Sequence, residues 1–157
     1  MAIVDPTEFK NALPPNGRAL GLDLGSKTIG LAISDSGLAV ASPLETIRRT
    51  KFTADANALI ALIGERGIGG LVLGLPRNMD GSEGPRAQST RQFATNLLEK
   101  IDIPIALWDE RLSTAEVERV LIEEADMTRK RRGEVVDKMA ASVILQGFLD
   151  FLRHSKV

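Results

Sequence analysis

The stretch Arg18–Ser34, RALGLDLGSKTIGLAIS, constrains the fold more than any other part of the chain. Two runs, Arg18–Leu24 and Thr28–Ser34, are separated by the turn signal Gly25-Ser26. In the second, Ile29, Leu31 and Ile33 alternate with Gly30, Ala32 and Ser34, the period of a strand with one large and one small face. In the first, Ala19, Gly21 and Asp23 share a face in the same way. Asp35-Ser36-Gly37 marks a further turn, and Leu38–Ile47 reads as a third strand. Strands joined by such short connections pair antiparallel. Small residues on two neighbouring strands leave room for another element to pack closely, and Asp23 stands on that small face.

Further along, Phe52, Ala56, Leu59, Ile60 and Ile63 predict a helix over Phe52–Arg66, ended by Gly67. Gly70–Leu75 and Pro104–Trp108 are short apolar runs of the buried parallel kind. Between them, the polar loop Pro76–Gly84 leads to Pro85, which opens a helix reaching about Lys100. Ser113 and Glu116 form a capping box for another helix, with Val117, Val120 and Leu121 inward. Ala125–Gly133 is expected as a basic loop, and Glu134–Leu152 as the last helix. The order βββαβαβαα gives one mixed sheet with helices packed on it, within a single domain. Residues 1–17, with three prolines and no apolar h-region, are expected to be an irregular arm without a targeting segment. The domain is expected over residues 18–152, with 153–157 as a tail.

Composition excludes several chemistries. The 157 residues include no cysteine, so there is no thiolate nucleophile, disulfide or cysteine zinc site. His154, near the end of the chain, is the only histidine, which leaves out a multi-histidine metal site and makes a histidine-based triad a poor reading. No apolar run approaches the roughly 18 residues of a membrane helix, and a cytoplasmic location is expected. The formal net charge of −1 confines any nucleic-acid surface to local patches. Arg48, Arg49 and Lys51 form one basic group, and Arg129, Lys130, Arg131 and Arg132 another. Few aromatic residues are available for base stacking.

The acids are more telling. A carboxylate within a strand is costly to bury unless it is paired or holds a metal. Asp23 lies between Leu22 and Leu24, Asp109 and Glu110 end the strand IALW, and Asp137 lies on the last helix near Ala140 and Ala141. Docking that helix on the small faces of the first two strands would set Asp137 beside Asp23. Glu110, at the carboxyl end of a parallel strand, would complete the cluster. Oxygen-only ligands select hard cations, so Mg²⁺ or Mn²⁺ is expected, with phosphodiester hydrolysis as the chemistry. The plain alternatives are a turn-capping role for Asp23 and a helix-dipole role for Asp137 as a first-turn acid. Arg77, Asn78 and Arg111 follow strand ends beside this site, where they could contact phosphate, as could Arg129–Arg132.

Four motifs, DLGSKTIGLAISD (Asp23–Asp35), LVLGLPRNMDGSEG (Leu71–Gly84), DERLST (Asp109–Thr114) and DKMAASVIL (Asp137–Leu145), resemble the YqgF family, also called RuvX. The resemblance spans about Arg18 to Leu152. It implies an RNase H-like fold: a five-stranded mixed sheet of three antiparallel then two parallel strands, with helices on both faces. It implies Asp23, Glu110 and Asp137 as catalytic and metal-holding residues of a metal-dependent endonuclease. The substrate it implies is the 5′ end of pre-16S rRNA, in ribosomal precursor particles, with resolution of DNA Holliday junctions as the older reading. Two other classes remain open. Asp23-Leu24-Gly25-Ser26 also resembles the phosphate loop of the actin, sugar-kinase and Hsp70 superfamily, although those enzymes enclose a nucleotide between two such domains. A non-catalytic nucleic-acid or transcription factor on a nuclease scaffold is the second.

Overall fold

A computed structural model describes residues 3–77, 80–109 and 129–154, with the side chains of 129–136 left aside. Its centre is the predicted pair. Strand β2 (Arg18–Leu24) runs antiparallel to β3 (Thr28–Ser34), with Asp23 opposite Gly30. Strand β4 (Ala41–Arg48) continues the meander beside β3. It begins later than Leu38 because Leu38 sits in the turn with φ 56°, while the Asp35 carboxylate accepts the amides of Ala39 and Val40 at 2.8 and 3.1 Å. On the other side of β2 lie β5 (Ile68–Leu75) and then β6 (Ile105–Asp109), both running parallel to it.

The sheet has six strands rather than the expected five. The extra one is β1 (Ile3–Val4), parallel to β6 at the edge, so that the order is β1-β6-β5-β2-β3-β4. The segment before Arg18, expected as an irregular arm, thus contributes to the sheet. It also carries the short helix α1 (Phe9–Ala12), whose Phe9 is fully buried edge-to-face on Phe148, with ring centroids 5.0 Å apart. A two-residue strand has no period to detect, and only Phe9 hinted at an anchor.

Helices cover both faces. Leu20, Leu22 and Leu24 of β2 point to one core, shared with Leu59 of α2 (Phe52–Arg66) and with Phe93 and Leu97 of α3 (Pro85–Leu98). Helix α2 has its predicted limits and ends at Gly67 in the left-handed region, φ 66°. The opposite face, with Ala19, Ala32, Val72 and Ala106, receives Ala141, Ile144, Leu145 and Phe148 of α4 (Arg129–His154). Helix α4 starts at Arg129 and not at Glu134, so the four basic residues expected in a loop are helical. Arg and Lys are good helix formers, and one Gly133 does not outweigh them. The helix expected from Ser113 lies outside the described residues.

The small residues of β2 and β3 set how α4 docks. A Cβ added at Gly21 would stand 2.8 Å from Leu145 Cβ and 3.2 Å from the Ala141 carbonyl oxygen. A Cβ at Gly30 would collide with the backbone carbonyl of Asp137. The helix backbone therefore rests directly on the sheet. Gln146 fixes its position along the strands: Oε1 accepts from Ala41 N at 2.8 Å, and Nε2 donates to Ala39 O at 3.0 Å.

Gly30→Ala is expected to destabilise the fold by about 3 kcal/mol, because backbone, unlike a flexible side chain, cannot move aside cheaply. Gly64→Ala, on the exposed side of α2 with nothing within 4 Å of the new Cβ, is expected to stabilise it by about 0.5–1 kcal/mol. Urea unfolding of the two variants checks both signs. Equal effects would contradict the close docking.

Candidate active site

Asp23 is the second-last residue of β2 and shares a face with Ala19 and Gly21, so it points toward α4. Its cross-strand neighbour is Gly30, and the Asp137 backbone lies on Gly30. The two acids that the sequence singled out are thus brought together. The Asp137 carboxylate accepts a hydrogen bond from the Thr28 hydroxyl, which fixes its direction from the first residue of β3. Burial, the like charge of Asp137 and, in the opposite sense, the nearby Arg86 guanidinium act on Asp23, and the balance pushes its carboxyl up to about 6.

Both plain alternatives lose ground. Asp137 lies more than two turns into α4, which has no acid in its first turn, and the dipole acts only over that first turn. In the β2–β3 turn the Gly25 amide donates to the Thr28 carbonyl at 2.8 Å, and among the described residues no hydrogen bond to the Asp23 carboxylate is present. The turn closes on its backbone, leaving the carboxylate available.

The carboxyl ends of β2, β5 and β6 lie at one end of the sheet, where ligands bind in open α/β sheets. Asp109 ends β6 there, opposite Leu75. Glu110, Arg111 and Asn78 lie outside the described residues, and so do the side chains of Arg129, Lys130, Arg131 and Arg132. Among the described residues no three metal-binding side chains form a cluster. Arg77 follows β5 at this end. It pairs with Glu83 at 3.5 Å, but Glu83 is held more firmly by Arg91, at 2.7 Å. Among the described residues, Arg77 Nε is buried without a hydrogen-bond partner.

Two residues near the acids were not singled out from the sequence. Thr28 could have been found by extending the small face of β3 backward by two positions. Arg86 had one signal: it occupies the second position of α3, where a cation opposes the helix dipole.

The sheet order and helix placement define the α/β architecture of RNase H-like resolvases. Thermus thermophilus RuvC, solved with a Holliday junction substrate, aligns over 87% of this chain and 95% of its own, with TM-score 0.50 and 12% identity. The fowlpox virus Holliday junction resolvase aligns over 86% and 99%, with TM-score 0.50 and 11% identity. At these identities the likeness concerns the fold. Residues 17–151 match the family described as "RuvX: Holliday junction resolvase", and the chain belongs to that family. Relatives named "Putative pre-16S rRNA nuclease" include one from Paramagnetospirillum magneticum, 62% identical over 96% of both chains. Another, from Paracoccus denitrificans, is 63% identical over 92% of this chain and 91% of its own.

The Asp23 pKa gives a pH prediction. Well below pH 4 its carboxyl is neutral in both folded and unfolded chains and has no effect on stability. As pH rises toward 6, the unfolded chain loses the proton first, at its ordinary value of 3.8, and the fold weakens. Above 6 the whole penalty is present, roughly 2–3 kcal/mol. Asp23→Asn is therefore expected to melt higher than wild type at pH 7.5 in EDTA, with the difference shrinking as pH falls and vanishing well below pH 4. Thermal melts across that range check it, and a variant less stable at pH 7.5 would contradict the buried-acid account.

Proposed function

We propose that this chain is a divalent-cation-dependent endonuclease that cleaves pre-16S rRNA near its 5′ end, in the cytoplasm and on ribosomal precursor particles. The observation that carries this reading is the Asp23–Asp137 pair, held together at the carboxyl end of the sheet by the contact of α4 with Gly30. Two like charges forced together, with no histidine or cysteine nearby, suit a hard cation that would relieve their repulsion. Asp23 and Asp137 would hold it, with Glu110 as the third oxygen donor. When bound, Mg²⁺ or Mn²⁺ supplies a Lewis acid for activating water and offsetting charge on the phosphate.

The protein's own part is positioning. The Thr28 hydroxyl holds the Asp137 carboxylate in one direction. Arg77 offers a guanidinium group with an unused Nε beside the site. Asn78, Arg111 and the basic first turns of α4 are the further substrate contacts this reading assigns. The name these relatives carry favours RNA as the substrate. The family description names the DNA junction, which serves as the comparison substrate.

Purified protein with Mn²⁺ or Mg²⁺ is expected to cut a structured RNA carrying the precursor 5′ end, and EDTA to stop it. Asp23→Asn, Asp137→Asn and Glu110→Gln are each expected to lower the rate roughly 10²–10³-fold. Cleavage of a four-way DNA junction and not of the RNA would transfer the activity to resolution. Cleavage undiminished in Asp23→Asn would sink the assignment of the site.

A further inference from the structure

Behind the acidic pair, toward the α3 face of β2, lies a cavity of about 250 Å³. It is bounded by the Gly25-Ser26 turn, by Arg49 just after β4, and by Arg86 and Ser89 in the first turns of α3. No acidic residue lines it among those described. Arg49 is fixed in place: Nη1 donates to the Gly25 carbonyl at 2.6 Å, and the guanidinium carbon lies 5.8 Å from the centre of the Phe93 ring. Arg86 is looser, reaching the Leu24 carbonyl at 3.5 Å, the outer limit for a hydrogen bond. Neither arginine makes a salt bridge among the described residues, although Arg86 is near enough to Asp23 to act on its charge.

We propose that this cavity binds a backbone phosphate of the nucleic-acid strand, next to the phosphate cut at Asp23 and Asp137, with Arg86 and Arg49 as its ligands. The assignment rests on the nuclease reading and extends it to a second phosphate. Size permits it, since a water takes about 30 Å³ and the cavity admits a phosphate with several waters. Chemistry selects it, because guanidinium forks match phosphate oxygens, and two cations in a cavity with no acidic residue in its lining among those described repel a cationic ligand. Fixing Arg49 beforehand leaves less side-chain entropy to lose on binding. Arg86 opposes the dipole of its own helix, and an anion in the cavity relieves that conflict. A smaller cavity, about 170 Å³, is shared by Arg86 and Arg77, so the cationic line continues toward the end of β5.

The test is equilibrium binding of a short fluorescent single-stranded RNA in EDTA, where cleavage is suppressed, between about 50 and 200 mM salt. Arg86→Gln is expected to bind about tenfold more weakly. It is also expected to lower the slope of log affinity against log salt by about 0.7, the loss of one phosphate contact. Arg86→Lys should keep the wild-type slope, and Arg49→Gln should show the same drop of about 0.7 if its melting temperature shows that it folds. Because Arg86 is exposed and weakly bonded, its variants should fold whatever becomes of Arg49→Gln. Wild-type affinity and slope in Arg86→Gln would overturn the proposal, and so would weaker binding with an unchanged slope. Stabilisation of wild type but not Arg86→Gln by ATP or inorganic phosphate, with the RNA slope untouched, would assign the cavity to a free phosphate compound and overturn the strand contact. A changed slope without cleavage in Mn²⁺ would support the contact while sinking the nuclease reading.

Discussion

The contact of the α4 backbone with Gly30 is the constraint on which the rest of this structure depends. Helices usually meet sheets through interdigitating side chains, which separate the two backbones. Here the side chains are absent at Gly21 and Gly30, and at Gly30 main chain lies against main chain. Once that approach is made, the position of Asp137 is determined by the sheet and not by its own preferences. Gln146 sets the helix's position along the strands, and the Phe148 ring, packed against Phe9 and Trp108, pins the far end. The N-terminal segment is therefore linked to the site through one helix, although its strand lies at the edge of the sheet.

Close packing carries an electrostatic cost. A carboxylate at the end of β2 would ordinarily be solvated, but docking α4 both dries Asp23 and sets a second negative charge beside it. Apolar burial on both faces tolerates the penalty, a pattern expected where stability is exchanged for chemistry. Strand β2 divides the charges. Its small face presents Asp23 to Asp137 on α4, while its last carbonyl and the turn that follows engage Arg86 and Arg49 on the α3 side. A chain of net charge −1 is thus strongly polarised over a few residues.

Much of this was legible in the sequence, because strand period and side-chain size are local properties. The limits of β2, β3 and α2 follow from alternation and from Gly67. The match of small faces with Ala140 and Ala141 pointed to the helix that brings Asp137 to Asp23. What escaped lacked a period or depended on distant partners. Strand β1 is too short to alternate, Leu38 was apolar enough to be read as strand though its backbone turns, and Arg129–Arg132 was read as loop from its charge. Of the expected phosphate contacts, Arg77 lies at the carboxyl end of β5, while Arg111 and Asn78, like the acid Glu110, fall outside the described residues.

Charge runs catch the eye in a sequence, yet Arg86, the cation that acts on Asp23, is not in a run. Arg49 and Arg86 are far apart in the chain and converge only because the end of β4 and the start of α3 meet at the same turn. Their influence is local, since exposed charges are screened beyond about 8–10 Å at physiological salt. Arg86 is close enough to lower the Asp23 pKa, so an anion beside Arg86 and a cation beside Asp23 also sense one another. A phosphate in the arginine cavity, as proposed, would add negative charge next to two carboxylates, and a divalent cation held by those carboxylates would offset it. Each ligand would then favour the other, and by linkage the coupling would be equal in both directions. The acids alone repel a polyanion, and the arginines alone hold it without chemistry. Set on opposite sides of one strand, the two groups would, on the proposed reading, couple strand binding to cation binding.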